Sequence, residues 1–255
     1  FHMEAGNRCY DDRVPEEVNR RVIDHSSDIL MPYTERSRAN LLREGIAGDR
    51  IYVTGNPIHE VIRRCAVPIA RSRVLKSLGL KPGGYFLVTM HREENVDIES
   101  RLKSLIEALS RLQRQYRKPV IVSTHPRTRK RMESFGVRVN NRHLRFMDPL
   151  GFSDFIALEK NAFCALSDSG TVQEECCIFG VPNVTLRDVT ERPETIECGS
   201  NMLAGADPDT ILRCAETVLS RKPDWTAPPE YLVENVSRTV CKILLGHLRL
   251  PARGQ

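Results

Sequence analysis

From Tyr85 onward the sequence alternates short apolar runs with segments of helical periodicity. Buried strands are predicted at residues 85–90, 119–124, 144–147, 163–167 and 183–186. Between the first two, apolar residues from Leu102 to Tyr116 recur every three or four positions, which predicts a helix with one stripe against a sheet. Strand, helix and strand in repetition require right-handed crossovers and a parallel sheet covered on both faces. This part of the chain is therefore predicted to be a Rossmann-like α/β domain.

Further helices are predicted on both sides of this domain core. Asp207 is expected to cap a helix whose first residue is Pro208, and a last helix is expected over residues 233–248. Helix-like stretches also cover residues 15–27 and 35–44, but residues 1–57 offer hardly any sheet for them to pack on. A complete α/β unit would begin with its own strand, so we expect a segment upstream of Phe1 to be missing.

Composition narrows the class of protein. No apolar run approaches the roughly 20 residues that span a bilayer, and the start lacks the features of a signal peptide, so we expect a soluble chain without a membrane partner. Eight scattered cysteines without a CxxC pair favour reduced thiols in the cytoplasm over a zinc site or a disulfide framework. The net charge of +5 is modest, and its one cluster, Arg127, Arg129, Lys130 and Arg131, is best explained as a solvated helix start. No nucleic-acid partner is expected.

One candidate phosphate site follows the fourth predicted strand. There Ser169, Gly170 and Thr171 open a helix that is expected to end near Gly180. A small turn lets backbone N–H groups approach a phosphate, and the helix N-terminus adds partial positive charge. Glu175, about one turn into the helix, could bind both hydroxyls of a ribose. That Asp168 or Ser169 only caps the helix is an equally good interpretation of this local pattern.

Three other polar motifs follow predicted strands in the same way. His91 and Arg92 come after the first strand, His125 after the second, and Arg192 after the fifth. Open parallel sheets bind ligands at the carboxyl ends of their strands, so these motifs are expected to converge on one edge. No GxGxxG fingerprint is present, and Gly79 to Gly84 lacks the Lys and Ser/Thr of a P-loop. The sequence therefore supports neither a dinucleotide-binding nor an ATPase site.

The start of the chain is dense in charge. Glu4, Glu16 and Glu17 lie close in sequence to several arginines, among them Arg20. Paired carboxylates can divide general acid and general base work when their environments separate their pKa values. An exposed ion-pair network is the more common explanation, and spacing alone leaves both open.

Six blocks of residues, taken in order, resemble the signatures of the non-hydrolysing UDP-N-acetylglucosamine 2-epimerases. The blocks are residues 1–6 (FHMEAG), 15–20 (PEEVNR), 54–56 (TGN), 91–95 (HREEN), 169–175 (SGTVQEE) and 190–194 (TERPE). The resemblance covers essentially the whole chain. It implies a GT-B-type α/β fold of two Rossmann-like domains with parallel sheets, the first incomplete here. The implied divisions are residues 1–57 for the rest of the first domain, 58–230 for the UDP-binding domain, and 231–255 for a helix crossing back.

The resemblance also implies the chemistry and the residues that carry it. Family members eliminate UDP across C1 and C2 of the sugar and then add it back after the proton returns from the other face. The implied catalytic residues are Glu4, Glu16 and His91. Substrate binding is implied for Arg20, Arg92, Ser169, Gly170, Thr171, Glu175 and Arg192. Neither a metal nor another cofactor is implied, and a homodimer is expected.

Four further hypotheses accompany this interpretation. Residues 7–13 and 123–131 look closer to the subgroup acting on modified UDP-sugars, such as UDP-N-acetyl-L-fucosamine or UDP-diacetamido-glucuronate. His125 corresponds to a position near a second UDP-GlcNAc site in some relatives, although the surrounding residues differ. A GT-B glycosyltransferase or a UDP-sugar-binding chain without catalysis are the remaining functional hypotheses.

Overall fold

The computed structural model describes residues 1–247, which form two compact units. The first comprises Phe1–Arg63 together with the segment that starts at Pro228, and the second is Arg64–Ala227. None of the helices between residues 1 and 247 combines the length and the apolar character that a membrane crossing requires.

Eight strands and thirteen α-helices occur in the described residues. The strands are β1 (His2–Met3), β2 (Leu30–Met31), β3 (Phe86–Thr89), β4 (Val120–Ser123), β5 (Leu144–Met147), β6 (Cys164–Ser167), β7 (Asn183–Thr185) and β8 (Asn201–Leu203). The helices are α1 (Pro15–Ser26), α2 (Glu35–Arg43), α3 (Ile58–Arg64), α4 (Ala66–Arg71), α5 (Val74–Ser77), α6 (Glu93–Val96), α7 (Glu99–Tyr116), α8 (Pro126–Ser134), α9 (Phe152–Lys160), α10 (Gly170–Phe179), α11 (Pro193–Glu197), α12 (Pro208–Leu219) and α13 (Val236–His247).

The second unit is built on a six-stranded, fully parallel sheet with the strand order β5-β4-β3-β6-β7-β8. From β3 the chain winds outward to β5, and from β6 it winds outward in the opposite direction. The strand order therefore reverses between β3 and β6. In doubly wound sheets a crevice opens at this switch point, outside the carboxyl ends of the strands.

Both faces of this sheet are covered, as the sequence predicts. In β3, Phe86 and Val88 belong to one apolar cluster, whereas Leu87 belongs to another. Leu105 of α7 packs in the first cluster, and Val172 of α10 packs in the second. Successive strand residues point to opposite faces, so the alternation places helices on both sides and buries most of the four central strands, β4, β3, β6 and β7.

The first unit has a much smaller sheet. β1 and β2 pair in parallel over two residues each, and Leu30 forms a further parallel bridge to Ile51. Leu30 packs in one apolar cluster, and its neighbour Met31 packs in a second with Val236 and Val240 of α13. These contacts hold α13 within the first unit.

The structure confirms the α/β class and the five predicted strands to within two residues at each end. Asp207 caps α12 through its side chain, which accepts a hydrogen bond from Thr210 N. The predicted last helix is observed as α13, and its predicted end at Leu248 lies outside the described residues. Strand β8 was not predicted, because its three residues include polar Asn201 and form no apolar run.

Candidate functional site

Asp168 connects the ends of β3 and β6 at the switch point. It follows β6, its side chain is fully buried, and its Oδ2 accepts N–H groups from His91 and Arg92, both at 2.9 Å. Asn95 Nδ2 donates to the same oxygen over 3.1 Å. Hydrogen bonds to an ionised acceptor are stronger than neutral ones, so this carboxylate fixes the loop after β3 against the end of β6.

The same carboxylate positions the His91 ring. His91 Nδ1 lies 3.2 Å from Asp168 Oδ1, while 40% of the His91 side chain remains exposed. Because the carboxylate accepts hydrogen bonds, Nδ1 is the nitrogen that carries the proton, and Nε2 is left for a ligand. The ring centre of His125 lies 5.9 Å from that of His91. Two imidazoles from neighbouring strand ends therefore meet at this edge.

The turn between β6 and α10 leaves the helix N-terminus without a side-chain cap. Ser169 occupies the N-cap position in extended conformation, but its side chain makes no capping hydrogen bond. Asp168 is directed to His91 and Arg92 instead. The interpretation of Asp168 or Ser169 as a simple cap is therefore wrong, and the first N–H groups of α10 remain available to an anion.

A cavity of about 260 Å³ opens at this edge of the sheet. It is lined by Thr89, His91, Ser123, His125, Pro149, Phe155, Ser169, Thr171, Val172 and Glu175. These residues come from the ends of β3, β4 and β6, from the loop after β5, and from α9 and α10. Five of the residues singled out from the sequence thus share one small-molecule-sized cavity.

Glu175 is a buried acidic residue in the wall of this cavity. Burial raises the pKa of Glu175 to about 8. Behind it lies Glu159 of α9, which is fully buried and accepts a hydrogen bond from Cys176 Sγ at 3.4 Å. Burial and repulsion from Glu175 hold the pKa of Glu159 well above its usual range. At neutral pH Glu159 is therefore protonated, so that Glu175 is the carboxyl that can ionise toward a ligand.

Arg192 approaches the same turn from the loop after β7. Its guanidinium carbon lies 3.5 Å from the position that a Cβ on Gly170 would occupy. Its Nε donates to the carboxylate of Glu174, which fixes the guanidinium beside the N-terminus of α10. Thr190 Oγ1 also donates to Gln173 Oε1 over 2.7 Å. The loop is therefore joined to α10 at two points.

A second buried pair stiffens this loop. Arg187 is 1% exposed and donates to Glu191 over 2.7 Å. Burial alone would raise the pKa of Glu191, but the hydrogen bond and charge of Arg187 outweigh it and lower that pKa to about 2. The segment that carries Arg192 is thus held at its start as well as at its end.

The acidic candidates at the start of the chain lie in the first unit. Glu4 adopts a left-handed backbone conformation with φ of 62°, and its Oε1 lies 3.6 Å from Arg20 Nη2. Glu16 lies one helical turn before Arg20 on α1. Glu17 is fully buried and accepts the N–H groups of Cys9 at 2.8 Å and Tyr10 at 3.3 Å. Glu17 is therefore structural, whereas Glu4 and Glu16 are at least partly exposed.

A buried network supports the turn that carries Glu4. Asp24 is fully buried and binds Arg8 Nη2 at 2.7 Å, His2 Nδ1 at 2.6 Å and the N–H of Gly6 at 3.1 Å. Burial alone would raise the pKa of Asp24, but these hydrogen bonds outweigh it and lower the pKa. Gly6 has φ of 75°, and a Cβ there would lie 2.2 Å from Ser37 O. Glycine is required at that position.

The arginines of the basic cluster at the start of α8 form ion pairs with acidic side chains. Arg127 pairs with Asp97 and Glu93 at 2.6 Å each, and Arg131 pairs with Asp97 at 2.9 Å. Arg129 pairs with Asp148 at 2.7 Å. The interpretation as a solvated helix start is consistent with these pairs. Within residues 1–247, no group of three or more His, Cys, Asp or Glu side chains is arranged to hold a metal ion.

Sequence reasoning missed three residues that shape the site. The sequence indicates Glu174, which fixes Arg192, only as part of a motif, and it indicates Asp168 only as a possible cap. Glu159 was not considered, because it sits in an apolar helix pattern and becomes visible only through its burial behind Glu175. For Asp168 a signal existed, since an acidic residue directly after a buried strand must have partners.

Comparison with known proteins adds a family to this geometry. A sequence model of the family described as UDP-N-acetylglucosamine 2-epimerase matches residues 1–245. The UDP-N-acetylglucosamine 2-epimerase of Methanocaldococcus jannaschii is 42% identical over 233 residues, covering 89% of this chain and 64% of that protein. The UDP-2,3-diacetamido-2,3-dideoxy-D-glucuronate 2-epimerase of Pseudomonas aeruginosa is 38% identical over 221 residues, covering 86% and 60%. The chain thus spans less than two thirds of the length of these curated relatives.

A solved structure shows the same fold. The crystal structure of the M. jannaschii UDP-GlcNAc 2-epimerase in complex with UDP-GlcNAc and UDP matches with a TM-score of 0.90 at 38% identity. The match covers 96% of this chain and 68% of that one. This likeness confirms the predicted GT-B-type α/β class with parallel sheets.

Proposed function

Because the chain belongs to the UDP-N-acetylglucosamine 2-epimerase family, we propose that it inverts C2 of a UDP-N-acetylhexosamine, converting UDP-GlcNAc to UDP-ManNAc or a related pair. One observation carries this proposal. The uncapped N-terminus of α10, the ring of His91 and the buried carboxyl of Glu175 surround one cavity at the switch point of the sheet. An anion site, a proton-carrying ring and an acceptor for a diol are the groups that a UDP-sugar requires.

The diphosphate is assigned to the N-terminus of α10. Gly170 and Thr171 carry its first N–H groups, and helix N-termini bind phosphates through such groups. Ser169 contributes its hydroxyl, because its own N–H donates to Ser167 Oγ. Arg192, fixed beside Gly170 by Glu174, and Arg92 in the loop after β3 are the proposed guanidinium donors to the phosphates.

The ribose is assigned to Glu175. An ionised carboxylate can accept a hydrogen bond from each of two adjacent hydroxyls. Burial raises the pKa of Glu175 to about 8, so binding through the ionised form releases a proton near neutral pH. His125, whose ring centre lies 5.9 Å from that of His91, belongs to the same cavity and needs no second nucleotide to explain its position.

The chemistry at C2 needs a proton acceptor, a proton donor and a stabilised leaving group. The acceptor removes the C2 proton while the C1–O bond breaks, which gives UDP and a 2-acetamidoglucal. The donor then returns a proton to the other face of C2, and UDP adds back to C1. Glu4 and Glu16 are the proposed acid and base. His91 is proposed to act with both ring nitrogens protonated, so that Nδ1–H is held by Asp168 and Nε2–H donates to the departing diphosphate.

UDP-GlcNAc is the first substrate to test. The M. jannaschii relative that carries this name is more similar to the chain than the P. aeruginosa relative named for a diacetamido-glucuronate. A modified UDP-sugar is the second substrate to test.

We further propose a homodimer, which light scattering would test. We also propose a cytoplasmic location, which the scattered cysteines without a CxxC pair favour.

Turnover is tested by incubating the protein with UDP-GlcNAc in deuterated water and following C2 by NMR. Elimination and re-addition predict deuterium at C2 and the appearance of UDP-ManNAc. Glu4→Gln and Glu16→Gln should lower turnover by about 10²- to 10⁴-fold. Glu107→Gln, at an exposed position on α7, is the matched control and should leave turnover unchanged. Absence of both deuterium and UDP-ManNAc would refute the proposal for this substrate.

Nucleotide binding is tested separately by titration calorimetry with UDP. Glu4→Gln should retain UDP affinity, because Glu4 is assigned to the sugar, whereas Glu175→Gln should lose it. UDP binding without turnover of either sugar class would overturn the epimerase activity and leave a UDP-binding protein. Transfer of the sugar to an added acceptor would favour a glycosyltransferase instead.

A further inference from the structure

Cys177 and Cys198 form a pair of thiols outside the candidate site. Cys177 lies in the last part of α10 and is 2% exposed, and Cys198 directly follows α11 and is partly exposed. Their sulfur atoms are 3.6 Å apart. A disulfide needs sulfur atoms about 2.0 Å apart, so a shift of about 1.5 Å would join them.

The surroundings give the two thiols different roles. Cys198 Sγ lies 3.4 Å from Ser200 Oγ, while Cys177 is packed inside the unit with its carbonyl bound by Trp225 Nε1. The hydrogen bond from Cys177 lowers the pKa of Cys198 to about 6, against the opposing effect of burial. The same hydrogen bond, with burial, raises the pKa of Cys177. Cys198 is thus the accessible thiolate and Cys177 the protonated partner.

The lowered pKa of Cys198 alone would not make its thiolate much more reactive than an ordinary thiol. At pH 7 a thiol with a pKa of about 6 is mostly ionised. Its ionised fraction is about 30 times that of a thiol with the ordinary pKa. Thiolates of lower pKa are weaker nucleophiles, which cancels about 10- to 18-fold of that gain. The remaining advantage is about two- to threefold. What distinguishes Cys198 is the second thiol at 3.6 Å, which can convert an oxidised sulfur into a disulfide.

We propose that Cys177 and Cys198 are an oxidisable dithiol site that a hydroperoxide converts to a disulfide. In the first step the Cys198 thiolate attacks one oxygen of hydrogen peroxide, the O–O bond breaks, and hydroxide leaves, which gives a sulfenic acid. In the second step Cys177 sulfur attacks the sulfenic sulfur. The S–O bond breaks as the S–S bond forms, and the released hydroxyl and the thiol proton leave as water. Peroxide is reduced by two electrons, and the two thiols are oxidised by two.

The disulfide would connect the two helices that bear the proposed phosphate site. α10 begins at Gly170 and α11 begins after Arg192, and Arg192 is already fixed to Glu174 of α10. Drawing the far ends of these short helices together shifts their first residues relative to one another. This consequence, unlike the disulfide itself, rests on the proposed function. A displacement of about 1 Å is expected to weaken UDP binding by about 10- to 100-fold.

The disulfide is tested on the reduced protein with hydrogen peroxide, followed by thiol blocking, trypsin and mass spectrometry. Cleavage gives a peptide of residues 161–187, which contains Cys177, and a peptide of residues 188–213, whose one cysteine is Cys198. The two should appear linked, lighter by two hydrogen atoms, and dithiothreitol should separate them. Fragmentation should place the link at Cys177, and a link at Cys164 or Cys176 would overturn the assignment.

Variants separate the two steps. Cys177→Ser should give no link and should leave a sulfenic acid at Cys198 that dimedone traps. Cys198→Ser should give neither product. Cys65→Ser changes another partly exposed thiol of the same unit and should form the link at the wild-type rate. If dimedone labels Cys198 to the same extent in the wild type and in Cys177→Ser, Cys177 is not the resolving thiol.

Calorimetry with UDP on the reduced and oxidised forms tests the consequence. Weaker binding after oxidation, restored by dithiothreitol and absent in Cys198→Ser, supports it. A linked protein with unchanged affinity refutes the coupling but not the dithiol site. If the reduced protein does not bind UDP, the proposed function fails, and the peptide result still decides the disulfide.

Discussion

Replacing Gly170 with alanine tests whether folding or ligand binding requires glycine at this position. The φ of Gly170 lies outside the left-handed region, and the atoms nearest to a Cβ there would be those of the Arg192 guanidinium at 3.5 Å, an ordinary van der Waals distance. Alanine therefore fits the unliganded protein. Glycine in a helix is less favourable than alanine by about 0.5–1 kcal/mol, so Gly170→Ala should leave the free energy of unfolding unchanged or raise it by up to that amount.

Nucleotide binding should change in the opposite direction. In the proposed complex the phosphate lies against the backbone N–H groups of this turn, where a methyl group would hold it away. Loss of one hydrogen bond to a charged oxygen is worth about 1.5–3 kcal/mol. UDP affinity should therefore fall by about 10- to 150-fold.

Gly180 provides a matched control at the other end of the same helix. Its φ is 69°, and a Cβ there would have nothing within 4 Å, so Gly180→Ala adds backbone strain without a steric clash. Left-handed backbone in an L-residue costs about 1–2 kcal/mol. This variant should lose about that much stability and bind UDP as the wild type does.

Urea unfolding and titration calorimetry on both variants give the two quantities. The reasoning requires a crossed result, with stability lost in Gly180→Ala and affinity lost in Gly170→Ala. If Gly170→Ala binds UDP with wild-type affinity, phosphate does not approach this turn. If it unfolds as easily as Gly180→Ala, the fold itself requires the glycine.

Three further predictions follow from the ionised groups. Asp168→Asn should destabilise the protein by about 1–3 kcal/mol in urea and speed hydrogen exchange at His91 N and Arg92 N; unchanged exchange would show that the carboxylate does not hold this loop. The pKa of Glu175 is raised from 4.5 to about 8. The contribution of Glu175 to the free energy of unfolding is therefore fully present below pH 4.5 and is lost as pH rises through 8, whereas UDP affinity should rise over that range. Glu175→Gln should show neither trend, and an identical pH profile would contradict the assignment. Asp24→Asn should cost about 3–5 kcal/mol, and because the pKa of Asp24 is lowered, the wild type should lose this stabilisation as pH falls; an unfolding midpoint within error of wild type would exclude it.

The second unit could be predicted from sequence because its signals are local. Each buried strand is a short apolar run, and each helix between them has one apolar stripe. The parallel arrangement then places every loop after a strand on the same edge. For that reason His91 and Ser169 could be expected at one site, although they are far apart in sequence. Asp168, which directly precedes Ser169, binds the His91 N–H across a separation of 77 residues.

The partners of the site residues could not be predicted, because they depend on packing between distant segments. Glu174 and Glu175 are adjacent in sequence, yet one fixes Arg192 and the other lines the cavity with a raised pKa. Which role each takes is decided by the rotation of α10 against the sheet. Likewise Glu17 and Glu16 are neighbours, and only the burial of Glu17 shows that it holds the backbone of Cys9.

Two of the residues assigned to the proposed site depart from what the local fold favours, and the proposed function accounts for both. At position 170 a glycine occupies a helical site where alanine would fit and would be more stable. At position 4 the backbone has φ of 62°, where glycine would be favoured, yet the residue is glutamate. The strain at Glu4 persists because Asp24, 20 residues away, binds His2, Gly6 and Arg8 on both sides of it. A position without a side chain where the proposed phosphate approaches, and a carboxylate held where the backbone resists it, are the departures from local preference that the proposed function explains.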